Sequence, residues 1–253
     1  MRPRVATAGL AIALTGSAAA AAPASTPKPL KFKEAACVRR TDHAQVVRFR
    51  ARDGVRLLGV TLGKGHVGVA LGHESDGTLC NWMPFARILS KAGYRVIAFD
   101  FRNSRGSSAH VNGARSQNLD LDFVAASGVL RARGASRVLL VGASLGGTAA
   151  LVAGSEVAPS VAGVAALSPA AQWSARLDGD AAVKKLAVPV LFMAAHGDTD
   201  FANDAQTLYG EAASSDKRLE LVAGADHGTF MVRGSSGKGP RTILLSFLRM
   251  HSS

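Results

Sequence analysis

The chain has 253 residues, 47% of them hydrophobic and 19% charged, a balance that excludes intrinsic disorder and suits one large or two small domains. Its formal net charge is +12, but the basic residues occur singly or in pairs such as Arg39-Arg40 and Lys184-Lys185. Because no basic run is interleaved with aromatic residues, the charge predicts a solvated cationic surface and no nucleic-acid partner.

The first 24 residues have the three parts of a secretory signal peptide. A short basic start, Met1–Arg4, precedes an unbroken run of small apolar residues from Val5 to Ala22. The stretch AAAAAPAS then offers cleavage sites of the A-x-A kind. We expect cleavage near Ala24 and an extracytoplasmic protein without stable membrane insertion. The alternative is an uncleaved anchor, since the run is almost long enough to span a bilayer.

The mature chain divides into two predicted parts. Residues 25–44 are expected to form an exposed leader, and residues 45–253 a single domain. The chain has two cysteines, Cys37 and Cys80. In an oxidising compartment two cysteines can pair, so we expect a disulfide that tethers the leader to the domain. The alternative is two buried thiols.

Beyond the leader, the pattern predicts a hairpin and then alternating strands and helices. QVVRFRA and VRLLGVTLG flank Asp53-Gly54, a strong hairpin signal. Strands are predicted at 66–72, 94–101, 136–144, 161–170, 188–196 and 217–226, and helices at 80–93, 119–134, 145–157, 202–214 and 240–250. Continuous apolar strands that alternate with helices predict an α/β fold, a mostly parallel sheet covered on both faces. Ligands bind beyond the carboxyl ends of such strands.

One of those strand ends carries the motif Gly142-x-Ser144-x-Gly146 in VLLVGASLGG. Small neighbours allow a sharp strand-to-helix turn that exposes a nucleophilic hydroxyl, the G-x-S-x-G elbow. Two phosphate-binding alternatives fail. Ser144 replaces the middle glycine of G-x-G-x-x-G, and Thr148 stands where a P-loop has its lysine.

A serine nucleophile requires a base and an acid that orients the base. Among seven histidines, His227 follows the last strand directly, in GADHGTF, and is the predicted base. The segment AAHGDTD follows the preceding strand and offers Asp198 and Asp200 as the acid. The chain order serine, aspartate, histidine is that of one known triad architecture.

With these motifs in this order, the chain resembles the α/β-hydrolase-fold serine hydrolases, nearest to compact, lidless esterases and dienelactone-hydrolase-like members. The family commonly has H-G-x-x-D before the histidine, and this resemblance assigns the acid to Asp200, with Asp198 as the alternative. It also implies an oxyanion hole built from the backbone N–H groups of Leu145 and Ser75, since His73 stands nine residues before Trp82. Glu74 departs from the family's usual glycine. The stretch AGYRVIAFDFR is also similar to the family, and the resemblance extends over residues 45–250.

The resemblance implies a secreted serine hydrolase that cleaves carboxylic esters through an acyl-enzyme, without cofactor or metal. Its partner is a small acyl substrate. Thioesterase, peptidase and perhydrolase activities stay open, as does a non-catalytic binding protein on the same scaffold. The segment AQWSARLDGDAAVKKL is too short for a helical cap, so we expect an open site and short acyl groups. Trp173 is the expected aromatic wall residue, while Trp82 is expected in the core.

Overall fold

The structure, a computed structural model, describes residues 35–108, 111–157 and 160–253, so the predicted signal peptide lies outside the described residues. The strands are β1 Gln45–Arg50, β2 Arg56–Leu62, β3 Val67–Gly72, β4 Arg95–Asp100, β5 Arg137–Ala143, β6 Gly163–Leu167, β7 Val190–Ala195 and β8 Lys217–Val222. The α-helices are α1 Leu79–Lys91, α2 Leu119–Ala132, α3 Leu145–Glu156, α4 Gly179–Val183, α5 Thr199–Glu211 and α6 Lys238–Met250.

The eight strands form one sheet in the order β1-β2-β4-β3-β5-β6-β7-β8. The pairs β1–β2 and β2–β4 are antiparallel, and all other neighbours run parallel. The predicted mixed sheet with an N-terminal hairpin is therefore confirmed. After β3 the chain builds β4 on one side of that strand, and β5 then lies on the other side. This reversal opens a crevice beyond the carboxyl ends of β3 and β5.

Helices bury an apolar core on each face of the sheet. On one face α1 and α6 pack through residues such as Trp82, Met83 and Phe247. On the other face α2, α3, α4 and α5 pack through residues such as Phe123 and Leu208. Strand residues alternate between the two cores, as in the neighbours Leu139 and Leu140. Both faces of the sheet are therefore closed to a ligand.

The described part of the predicted leader, residues 35–44, contributes two side chains to this core. Ala35 and Val38 are buried among the side chains of the α1 face. The predicted disulfide is present: Cys37 is bonded to Cys80 in α1. The two buried side chains and the disulfide hold this segment against the domain. The sequence predicted the disulfide but not the two apolar contacts. None of the described helices has the length and hydrophobicity needed to cross a membrane.

Candidate active site

Six parallel strands, β3 to β8, bring their carboxyl ends to one edge of the sheet. The registers pair Gly72 of β3 with Gly142 of β5, and Ala195 of β7 with Val222 of β8. The residues that follow these strands therefore converge at this edge. They include the candidate nucleophile, the candidate base, both candidate acids and both predicted oxyanion donors.

Ser144 lies in a strained turn between β5 and α3. Its φ is 51° and its ψ is −121°, a conformation that a residue with a side chain rarely adopts. The turn is fixed because Ser144 N–H donates to the Leu167 carbonyl, while the Ser144 carbonyl accepts from Gly147 and Thr148. Strain held by several hydrogen bonds is typical of functional sites.

The glycines on either side of Ser144 are required by close backbone approach. A Cβ on Gly142 would lie 1.9 Å from the Gly146 carbonyl oxygen. A Cβ on Gly146 would lie 2.5 Å from the Gly72 carbonyl oxygen and 2.6 Å from that of His73. The G-x-S-x-G spacing thus lets α3 begin directly against the end of β3.

His227 is paired with Asp198, which corrects the expectation of Asp200. The His227 Nδ1 atom lies 2.7 Å from Asp198 Oδ2, and the Asp198 side chain is only 13% exposed. Asp200 is exposed in the first turn of α5. On its other side His227 packs against the ring of Phe201, with ring centroids 4.3 Å apart. These contacts fix the imidazole ring at the carboxyl edge.

The start of α5 is the physical reason for the difference. The sequence pattern predicted a helix from residue 202, which would leave Asp200 in the loop. The helix begins at Thr199, with Asp198 as its N-cap. Asp200 is therefore incorporated into the helix, and Asp198 is the carboxylate that remains in the strand-end loop facing β8.

Two further contacts hold the loop that carries His227. The Gly228 N–H donates to the hydroxyl of Ser168, a buried residue after β6 with a φ of 44°. The Thr229 hydroxyl donates to Glu74 Oε1 at 2.6 Å, in the turn after β3. A Cβ on Gly228 would lie 4.0 Å from the Cβ atoms of both Ser144 and Glu74. The His227 loop therefore packs directly against the Ser144 turn.

No hydrogen bond joins the Ser144 hydroxyl to His227 within the described residues. Such bonds are often long in free enzymes and shorten when substrate binds. The structure thus brings Ser144 and His227 to one edge, with Asp198 bound to Nδ1 of the imidazole.

Glu74 is the carboxylate that replaces the glycine usual at this position. Its Oε1 accepts from Asn81 Nδ2 as well as from Thr229, both at 2.6 Å, and its Oε2 is buried without a partner in the described residues. The turn between β3 and α1 is thereby tied to α1 and to the His227 loop. In the sequence Glu74 stands out only as a departure from the usual glycine. Its partner Thr229, and Ser168, carried no sequence signal.

The His73 side chain shapes the same turn. Phe101 N–H donates to His73 Nε2, so Nδ1 carries the proton and lies 2.6 Å from the Glu74 carbonyl. Burial lowers the pKa of His73, which favours the neutral ring that this arrangement requires. The turn is therefore fixed from inside, with Ser75 exposed at its tip.

A pocket of about 230 Å³ lies beside this turn and is lined by both predicted oxyanion residues, Leu145 and Ser75. Trp173 lines it and is 43% exposed, as expected for a wall residue. Trp82 is fully buried and donates from Nε1 to the Gly72 carbonyl, as expected for a core residue.

The segment between β6 and β7 contains one helix of five residues, α4. The loop after β4 also contributes to the wall, through Asn103, Ser104, Ser116 and Gln117.

Comparisons with known proteins agree with this architecture. Residues 70–183 match the family model described as alpha/beta hydrolase fold. No curated protein matches the chain in sequence.

Solved structures are similar over most of their length. An esterase from Pyrococcus furiosus has a TM-score of 0.72 at 18% identity, over 83% of this chain and 93% of that one. An esterase from Thermogutta terrifontis has a TM-score of 0.69 at 15% identity, over 83% of this chain and 100% of that one. A monoacylglycerol lipase from Paleococcus ferrophilus has a TM-score of 0.64 at 17% identity, over 78% of this chain and 99% of that one. At these identities the likeness establishes the fold.

Proposed function

Because the chain has the α/β-hydrolase fold, we propose that it is a serine hydrolase that cleaves short-chain carboxylic esters through an acyl-enzyme. The observation that carries this proposal is the strained Ser144 turn next to a His227 ring whose Nδ1 is bonded to Asp198. The esterases among the similar structures support the same reaction class.

The His227–Asp198 contact determines the state of the base. With Asp198 ionised, the proton of the neutral ring resides on Nδ1 and is donated to Asp198 Oδ2. Nε2 then carries a lone pair that can accept the Ser144 proton as Oγ attacks the carbonyl carbon. Asp198 also stabilises the imidazolium that forms in this step. His227 returns the proton to the leaving alkoxide, and in the second half-reaction it deprotonates a water that releases the acid.

The oxyanion would be held by the backbone N–H groups of Leu145 and Ser75. Leu145 is the first residue of α3, so its N–H is unused by the helix and lies at the positive end of the helix dipole. Backbone donors aimed at the developing charge stabilise a transition state by about 3–4 kcal/mol each. Both residues line the same pocket, as this role requires.

Pocket size supports a short acyl group. Sites for drug-sized ligands have volumes of about 300–1,000 Å³, whereas the pocket beside Ser75 and Leu145 has about 230 Å³. An added methylene gains about 0.8 kcal/mol only if it is fully buried. A long chain would extend into solvent past Trp173 and gain little. We therefore expect acyl chains of roughly two to six carbons to be preferred.

Export is also part of the proposal. The N-terminal pattern of residues 1–24 and the Cys37–Cys80 disulfide support an extracytoplasmic protein, with residues 25–253 as the mature chain.

Hydrolysis of p-nitrophenyl esters of graded acyl length tests the proposal. The value of kcat/KM should be greatest for short chains and fall for long ones, and Ser144→Ala should remove the activity. A steady rise to acyl chains of about twelve carbons would show a groove deeper than the pocket described. Activity retained in Ser144→Ala would exclude the serine mechanism altogether.

A further inference from the structure

A large and strongly basic cavity lies far from the candidate active site. It has a volume of about 760 Å³ and lies between residues 39–45, the end of β2, the end of α1 and the start of β4. Arg95 begins β4, whereas the active-site edge lies beyond its last residue, Asp100. At about 3.3 Å per residue the two edges are about 20 Å apart. The cavity, called here the basic pocket, is therefore a separate site.

Six of its fourteen lining residues are lysine or arginine, against 30 in the whole chain of 253. They are Arg39, Lys64, Arg87, Lys91, Arg95 and Arg133. The acidic member of the lining is Asp42, which forms a bidentate pair with Arg87. The hydrogen bond from Arg87 lowers the pKa of Asp42 and keeps it ionised, so the pair cancels and five cations remain.

Three of these cations have no partner in the described part of the chain. No hydrogen bond or ion pair engages the side chains of Lys64, Lys91 or Arg133, and the Arg133 Nε atom is buried without an acceptor. A buried guanidinium nitrogen without an acceptor is costly, and a ligand oxygen would satisfy it.

Helix capping does not account for these side chains. Lys91 and Arg133 lie at the carboxyl ends of α1 and α2, where a basic residue can interact with free carbonyl groups. Here backbone N–H groups already bond to those carbonyls, from Ala92, Gly93 and Tyr94 in α1 and from Gly134 and Ala135 in α2. Lys64 lies on a loop, so no helix end explains it.

The wall of the basic pocket is firmly held. Arg87 donates to the Cys37 carbonyl as well as to Asp42, and Cys37 is bonded to Cys80. Arg95 donates to the carbonyls of Lys64 and Gly65. Residues 25–34 are not a suitable occupant of the basic pocket, because they carry three lysines and one glutamate and would be repelled by its cations.

We propose that the basic pocket binds a ligand that carries two or more phosphate groups. Each phosphate monoester brings about −1.5 to −2 charges and several acceptor oxygens, so two groups bring enough charge for the three cations that have no partner. The guanidinium of Arg133 presents a planar fork suited to phosphate oxygens. Such groups occur both in soluble polyphosphates and in clustered phospholipid headgroups, and the experiment distinguishes these two sources.

The experiment compares two triple variants of the mature protein by calorimetric titration with tripolyphosphate. The first, Lys64→Gln/Lys91→Gln/Arg133→Gln, neutralises the basic pocket. The second, Lys185→Gln/Lys238→Gln/Arg249→Gln, removes the same charge from exposed positions outside it. The wild type should bind one equivalent. The pocket variant should lose at least about tenfold in affinity, because it removes the charge-assisted hydrogen bonds that these three side chains would make to phosphate oxygens.

The control variant should change by less than about twofold, through general screening alone. Equal losses in the two variants, or absence of saturable binding to the wild type, would overturn the proposal. Melting temperatures confirm that both variants are folded. Vesicles of phosphatidylglycerol and of phosphatidylcholine then identify the source. If phosphatidylglycerol vesicles bind the wild type and the control variant but not the pocket variant, the ligand is a lipid headgroup. If the pocket variant binds these vesicles as well as the wild type does, while the wild type binds tripolyphosphate, the ligand is a soluble phosphate.

Discussion

Replacing the two aspartates near His227 one at a time tests the proposed triad. In Asp198→Asn, an amide replaces the carboxylate 2.7 Å from His227 Nδ1 and removes both a charge and the acceptor that orients the ring. In Asp200→Asn, the change lies on an exposed position in the first turn of α5. Both substitutions make the same chemical change, a carboxylate to an amide, so Asp200→Asn is a matched control.

The expected size of the effect follows from the geometry. An imidazolium and a carboxylate about 4 Å apart attract by about 4 kcal/mol at an effective dielectric constant of 20. The amide N–H can also face Nδ1 and stabilise the tautomer with the proton on Nε2, which cannot accept from Ser144. Together these losses should lower kcat by about 10⁴-fold, as the corresponding substitution does in a serine protease with a Ser-His-Asp triad. Loss of the Asp200 charge should cost stability of about 0.3–1 kcal/mol at the helix N-terminus and change kcat by less than about twofold.

Initial rates of p-nitrophenyl acetate hydrolysis, with thermal unfolding as a control for folding, distinguish the two variants. If Asp200→Asn is the more damaging substitution, the acid is Asp200, and the Asp198–His227 contact is not the catalytic one.

Two further predictions concern the contacts that hold the site and the fold. Thr229→Val removes the hydroxyl that donates to Glu74, so we expect kcat to fall by about tenfold at unchanged KM. Thr229→Ser keeps the hydroxyl and should restore kcat. Equal kcat in the two variants would exclude a positioning role for Thr229. Cys37→Ser/Cys80→Ser opens a loop with a sequence separation of 43. The chain-entropy estimate is about 4 kcal/mol of unfolding free energy, or roughly 8–16 °C in Tm. Scanning calorimetry measures this, and an unchanged Tm would show that the bridge adds no stability.

The elements were predictable because each has a simple periodicity. Buried strands such as β5 are continuous apolar runs, and the helices end close to the predicted positions because Gly93 and Gly134 adopt positive φ there. Ser144 and His227 were predicted to lie close together because each follows a strand whose carboxyl end lies at the same edge.

The sequence favoured Asp200 over Asp198 as the partner of His227 because helix starts are weakly encoded. The segment Gly197-Asp198-Thr199-Asp200 contains three side chains able to cap a helix, and the family spacing favours Asp200 as the acid. In the fold Asp198 occupies the N-cap position of α5, and its carboxylate contacts His227 and makes no capping bond. The hydrogen bonds from the His227 loop to Ser168 and to Glu74 join residues that are 60 and 155 positions apart, respectively. No local sequence pattern can reveal such contacts. The basic pocket, likewise, forms from lysines and arginines that are scattered through the sequence.

Covalent labelling with a fluorophosphonate tests the central claim that Ser144 is the nucleophile. We predict that mass spectrometry of the digested wild-type protein finds a single adduct on the peptide that contains Ser144. Ser144→Ala should remain unlabelled with an unchanged Tm, since the substitution deletes only one oxygen at a buried strand end. An adduct on another residue, or an unlabelled wild type that still hydrolyses esters, would contradict the account.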